Sequence, residues 1–159
     1  MLKELESLTA KLNEACNVLK RTLDQLDEQR ATSIMVTPEW SIKDTVAHLV
    51  GAKRGMTRIA QRAAAGEDPQ LPPDYNNDYY NARQVAKRKA MSFAEVRAEL
   101  DAAQRELVAF LEQVTAPQLE LCGQHPLAGE VSLKELLVVM YSHETTHCKE
   151  IADAIRAAK

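Results

Sequence analysis

His143 and His147 stand four residues apart in the run Tyr141-Ser142-His143-Glu144-Thr145-Thr146-His147. At about 3.6 residues per turn, side chains four apart on a helix stand one above the other, so two imidazoles at this spacing can reach one metal ion. Two ligands do not hold an ion firmly, and the remaining candidates are His48, His125, the cysteines and nearby carboxylates. His48 is the best of these. It shares a helical pattern with Thr45, Ala52 and Ile59, and a histidine projecting from a facing helix would complete a site inside a bundle. Three nitrogen ligands leave at least one position open, as catalytic rather than structural centres do. A single core histidine is ordinarily a hydrogen-bonded structural residue. Two imidazoles on one apolar stripe each need a partner, and one shared ion satisfies both.

The same letters spell H-E-x-x-H, the zinc-protease signature, but a peptidase is the weaker reading. Asp153 falls at the spacing of a third ligand, yet the glycine that would turn the chain toward it is replaced by Glu150. On a continuing helix Asp153 lies about 9 Å along the axis from His147 and on the opposite face. No edge strand is evident to hold a peptide. Glu144 is the candidate catalytic residue, as a general base, although about 100° of rotation from His143 suits an interhelical ion pair better. Cys148 is rotated off the histidine stripe by a similar angle and reads as packing. Cys122-Gly123-Gln124-His125 offers only two potential ligands and reads as irregular structure. Tyr79, Asn81 and Arg83 are candidate substrate-binding residues where a crossover could roof the site, Arg83 as a bidentate partner of a carboxylate. Their ordinary alternative is a capped, solvated short helix.

The elements that must position these groups are helical. Leu5, Leu8, Leu12, Ala15, Leu19, Thr22 and Leu26 recur at spacings of three and four, which predicts a helix over residues 4–28. Pro38 breaks the chain, and Ser41 with Asp44 forms an acidic capping box for a helix over 42–65. Residues 66–74 contain three prolines and form a long crossover loop. A short polar helix follows over 78–89. Ser92 with Glu95 caps a helix reaching Val114, with Phe93, Val96, Leu100, Leu107 and Leu111 on its core face. Residues 115–130 hold Pro117, Gly123, Pro126 and Gly129 and read as a second irregular connection. Ser132 with Glu135 opens the last helix, whose stripe is Leu133, Leu136, Met140, His143, His147, Ile151, Ala154 and Ala158. Trp40 is expected to anchor the start of the second helix in the core, a packing role. The expectation is an all-α protein: one four-helix bundle domain over 1–159, with a long crossover loop and a short extra helix.

A chain of 159 residues, 45% hydrophobic and 27% charged, suits one globular domain. No apolar run approaches the roughly 20 residues of a membrane span, and Met1-Leu2-Lys3-Glu4-Leu5 lacks the apolar core of a secretory signal, so the expected location is cytoplasmic. Three widely spaced cysteines fit reduced thiols. A net charge of −3 without a basic, aromatic-bearing patch argues against nucleic acid as a partner.

Trp40-Ser41-Ile42-Lys43-Asp44-Thr45-Val46-Ala47-His48-Leu49, followed by Asn81-Ala82-Arg83, Gly129-Glu130-Val131-Ser132-Leu133 and His143-Glu144-Thr145-Thr146-His147, resembles the DinB / YfiT-like metalloenzyme superfamily over nearly the whole chain. The resemblance implies a four-helix bundle, often a homodimer, with a divalent metal (zinc, nickel or iron) held by His48, His143 and His147. It also implies a low-molecular-weight thiol as cosubstrate, since characterised relatives include mycothiol-dependent maleylpyruvate isomerase and bacillithiol transferases. Relatives often carry glutamine three residues after the last histidine, where this chain has Glu150. The expected function is a thiol-dependent transferase or isomerase acting on small electrophiles. The reading from another class is a non-enzymatic ligand-binding or sequestering bundle with a structural histidine cluster.

Overall fold

A computed structural model describes residues 3–67 and 71–158. Four long helices, α1 (Lys3–Leu23), α3 (Ile42–Ala64), α5 (Phe93–Leu111) and α7 (Leu133–Ala157), form the bundle. Between them lie α2 (Glu28–Ser33), α4 (Asn77–Lys87), α6 (Ala116–Leu119) and an antiparallel hairpin of β1 (Cys122–His125) and β2 (Gly129–Ser132). The principal packing is α3 on α5 and α1 on α7, with α3 also against α4 and α7. Among the described residues no helix is long and apolar enough to cross a membrane. Asp68, Pro69 and Gln70 of the expected crossover loop lie outside the described residues.

All three expected capping boxes are present. Ser41, Ser92 and Ser132 each accept from the backbone N–H three residues on, while Asp44, Glu95 and Glu135 reach back to the cap. Two boundaries differ from expectation by three residues or more. The first helix stops at Leu23, and a separate α2 begins after Asp27, whose side chain accepts from the Arg30 N–H at 2.8 Å. Helix α5 ends at Leu111 rather than Val114.

The irregular connection expected over 115–130 holds α6 and the hairpin. Its strands pair Cys122 with Ser132 and His125 with Gly129, and Gly129 closes the turn with φ 73°, a conformation that costs glycine little. The hairpin lies on α3 closely enough that a Cβ at Gly123 would sit 3.0 Å from Ala63 Cβ.

The buried stripe of the last helix also departs from expectation. Its core face runs through Leu133, Leu136, Leu137, Met140, Glu144, Cys148, Ile151 and Ile155. His143 and His147 are half-buried and lie one residue aside, beside Val139 on the neighbouring face. Spacings of three and four fit both sets equally. Two apolar clusters fill the interior, one including Leu19, Val46, Val50, Leu100 and Ile151, the other Leu5, Leu12, Leu107, Leu136 and Met140.

Candidate metal centre

The cap at Ser41 starts α3 two turns before His48 and fixes which face that histidine occupies. The Asp44 carboxylate accepts from the Ser41 N–H at 3.1 Å and from its hydroxyl at 2.8 Å. His48 is buried, and its Nε2 stands 3.1 Å from Nε2 of His143 on α7. Ring centroids are 5.1 Å apart for His48 and His143, 5.0 Å for His48 and His147, and 4.6 Å for His143 and His147. One nitrogen from each ring lies within 4.8 Å of the others. Trp40 is half-buried rather than in the core, and its indole packs on the His48 ring with centroids 5.0 Å apart.

These residues suit a divalent cation. Two nitrogens each about 2.0–2.1 Å from one ion lie roughly 2.8–3.4 Å apart at right-angle to tetrahedral geometry, which brackets the 3.1 Å His48–His143 separation. Burial, helped by the neighbouring His143 and His147, pushes His48 down to about 3. Burial first, then His147, His125 and Lys53, pushes His143 down to about 4. Both rings are therefore neutral at pH 7, with a lone pair to offer. His48 Nδ1 is buried without a hydrogen-bond partner, so the ring's polar contacts fall on its Nε2 edge. His147 is anchored from behind, its Nδ1 2.7 Å from Glu150 Oε2. That contact holds the proton on Nδ1 and leaves Nε2 as the ligand atom. The departure at position 150 thus substitutes a charged acceptor behind a histidine.

Other expected site residues fall elsewhere. Glu144 is in the core, both oxygens 2.9 Å from Lys53 Nζ, and does not line the cavity beside the histidines. This is the interhelical ion-pair geometry weighed above. Cys148 is buried, with its Sγ 3.9 Å from the Thr22 hydroxyl. Of the three substrate-binding candidates only Asn81 lines the cavity. Tyr79 is exposed, and Arg83 lies over its ring at 5.8 Å instead of reaching the site. Consecutive residues on a helix diverge by about 100°, and it is Tyr80 that turns inward, with the Tyr75 ring tilted against it at 6.0 Å between centroids. Arg58 and His125 also line the cavity and were not singled out as binding residues from the sequence. The signal for Tyr80 lay in Gly51 and Gly55, four apart on α3, which make room for α4.

The sequence model of the DinB superfamily matches residues 4–151. The chain belongs to the DinB superfamily. Solved structures agree on the fold this superfamily membership implies. YfiT from Bacillus subtilis, described as a probable metal-dependent hydrolase with an unusual four-helix bundle topology, superposes with a TM-score of 0.81 at 19% identity, covering 99% of this chain and 90% of YfiT. The mycothiol-dependent maleylpyruvate isomerase gives 0.81 at 13% identity, and the match spans 95% of this chain but only 63% of the isomerase. The colibactin self-resistance protein ClbS, solved with a double-stranded DNA, gives 0.78 at 14% identity, with 96% and 95% of the two chains covered. No curated protein matches the chain. At these identities the DinB likeness concerns the bundle, and the histidine cluster is this chain's own observation.

Proposed function

We propose that this DinB-superfamily bundle binds one divalent cation through His48, His143 and His147 and acts as a thiol-dependent transferase or isomerase on small electrophiles. The observation that carries this reading is the 3.1 Å approach of two neutral imidazole nitrogens from facing helices, with the third ring packed against both. A bound divalent cation supplies Lewis acidity, which lowers the pKa of a thiol or of water entering the cavity. The chain's own groups do the remaining work. His48 and His143 face a cavity of about 530 Å³, so a ligand there meets the histidine cluster directly. Ala52, Met56, Ile59 and Val139 line it and restrict water. Glu150 holds the orientation of His147, and Trp40 covers His48. Glu144 serves in this reading as a structural partner of Lys53 rather than a base. The occupant is a small molecule rather than a nucleic-acid duplex, a choice supported by the cavity's size and the net charge of −3. A homodimer in the cytoplasm completes the reading.

Calorimetry on metal-free protein, beside His48→Ala and with elemental analysis, tests the metal. Equimolar binding that collapses in His48→Ala, followed by metal-dependent consumption of a thiol with an electrophile, is the expected result. Metal binding indifferent to His48 overturns the three-histidine assignment. One observation favours the second reading: 3.1 Å is also a hydrogen-bond distance between imidazoles, which would satisfy both rings without a metal. A chain that binds no metal and keeps that contact is a non-enzymatic binding bundle.

A further inference from the structure

The lining of the cavity is one-sided in charge. Among the described residues it contains Arg58 and Arg62 and no aspartate or glutamate, although the whole chain is net negative. Arg62 pairs with Glu67 at 3.6 Å. Arg58 is exposed at the cavity and has no ion-pair or hydrogen-bond partner among the described residues. Two of the neutral donors on the wall are already used. The Tyr80 hydroxyl donates to Gly51 O at 3.2 Å, and the Tyr75 hydroxyl donates to Asn77 Oδ1 at 3.3 Å.

His125 is different. Its Nδ1 accepts from the backbone N–H groups of Leu127 at 3.2 Å and Ala128 at 3.0 Å, so the proton of the neutral ring sits on Nε2. The turn spends one edge of the imidazole and leaves the other as a fixed donor at the cavity. The hairpin that carries it rests on α3 at Ile59 and Ala63, next to Arg58 and Arg62 in the chain.

We infer that the cavity takes a carboxylate-bearing ligand, seated on Arg58 and the Nε2–H of His125, with an apolar body along α3 and its far end toward His48 and His143. One free guanidinium fork and one N–H match the two oxygens of a carboxylate, whereas a phosphate dianion would leave a charge uncompensated. The mostly apolar wall, including Met56, Leu71 and Leu127, requires the body to be apolar. The inference rests on the small-molecule reading of this cavity given above and moves the carboxylate partner from Arg83 to Arg58.

The test compares 4-phenylbutanoate with its neutral amide on metal-free protein, following backbone amide NMR shifts, in the wild type, Arg58→Met and His125→Phe. The wild type should bind the acid about tenfold more tightly than the amide, since a charge-assisted bidentate contact separates the two. Arg58→Met should abolish the preference and His125→Phe should reduce it severalfold, with the amide's affinity unchanged in Arg58→Met. Equal binding of acid and amide by the wild type, or a preference that survives Arg58→Met, overturns the inference. Because the preference is read without metal, failure of the metal site in calorimetry is a separate result. On zinc-loaded protein, 3-mercaptopropanoate against 3-mercaptopropanol then tells which reactant carries the anion. A preference for the acid that is lost in Arg58→Met assigns the carboxylate to the thiol. Equal thiol binding, with the phenylbutanoate preference intact, assigns it to the electrophile. Either result supports the seat.

Discussion

Lys53 of α3 and Glu144 of α7 meet in the core with the lysine Nζ 2.9 Å from both carboxylate oxygens and the two side chains only 5% and 2% exposed. Nζ also donates to Gln104 of α5 at 2.5 Å, and Gln104 donates to Asn13 of α1 at 2.8 Å. Each long helix thus contributes one residue to a polar layer, and on each helix that residue falls in sequence between members of the two apolar clusters. The layer ties together the helices that carry the histidines, since Glu144 adjoins His143 and Lys53 lies five residues after His48. Lys53→Met leaves a buried carboxylate unpaired and should cost about 3–5 kcal/mol in urea unfolding. Lys53→Met with Glu144→Leu removes both charges and should recover most of that loss. If the layer sets helix alignment, the double variant keeps its stability and binds metal less tightly than wild type. Equal metal affinity would leave the pair a packing feature only.

Glu150 acts through His147. A carboxylate behind a ligating imidazole fixes its tautomer and raises its basicity, and losing such a partner typically weakens metal affinity 10- to 100-fold. Glu150→Ala should lower affinity by about that factor in a chelator competition, and Glu150→Gln, which keeps an acceptor oxygen, should lose less. Because Glu150 is substantially exposed, its own contribution to stability is small, and an unchanged melting temperature separates this effect from unfolding.

Asp44 makes stability depend on pH in a defined direction. Burial pushes its carboxyl up, but hydrogen bonds from Ser41 and Lys89 outweigh this and hold it below the usual carboxylate value. The folded pKa therefore lies below the unfolded value of about 3.9. The stabilisation is fully present above that unfolded value and is lost as pH falls through the folded one. Asp44→Asn should lower the melting temperature at pH 7, by the equivalent of about 0.5–2 kcal/mol for a weakened cap. The gap from wild type should close as the pH is taken below 4. A gap constant down to pH 2 would mean that the carboxylate charge is not what stabilises the cap.

The capping boxes and the His143–His147 pair were legible because each depends on neighbours close in sequence, whereas His48, 95 residues from His143, followed from its helical pattern and the family resemblance. The hairpin was not legible. Its four-residue strands bury little, and Cys122-Gly123-Gln124-His125 carries no alternation strong enough to separate strand from loop. The stripe of α7 was displaced by one residue because Leu133, Leu136, Met140 and Ile151 belong to either version. The choice between His143 and Glu144 for the core turns on Lys53, 91 residues away, which no local pattern reveals. The same limit put Tyr79 rather than Tyr80 at the site. Which face of a short polar helix turns inward is set by its dock, not by its own composition.

That dock is at Gly51 and Gly55 of α3. A Cβ at Gly51 would lie 2.5 Å from Gln84 Cβ and Cγ, and one at Gly55 would lie 2.8 Å from the Tyr80 hydroxyl oxygen. Gln84 Cβ is tied directly to the α4 backbone, so Gly51→Ala can be accommodated only by moving α4 away. The hydroxyl of Tyr80 is the far end of a side chain and can shift aside at the cost of no more than its hydrogen bond to Gly51 O, about 1 kcal/mol. The two substitutions should therefore differ in sign. Alanine in a helix interior gains about 1 kcal/mol over glycine, while forced overpacking costs about 1–3 kcal/mol. Gly55→Ala should be neutral or stabilising, and Gly51→Ala net destabilising. Hydrogen exchange gives the sharper readout: α4 amides over Asn77–Lys87 should exchange faster in Gly51→Ala, while the α7 amides around His143 keep their protection. Such a result makes the α4 wall of the cavity separable from the histidine cluster. Uniformly faster exchange across the bundle would show instead that α4 docking and the core unfold as one unit.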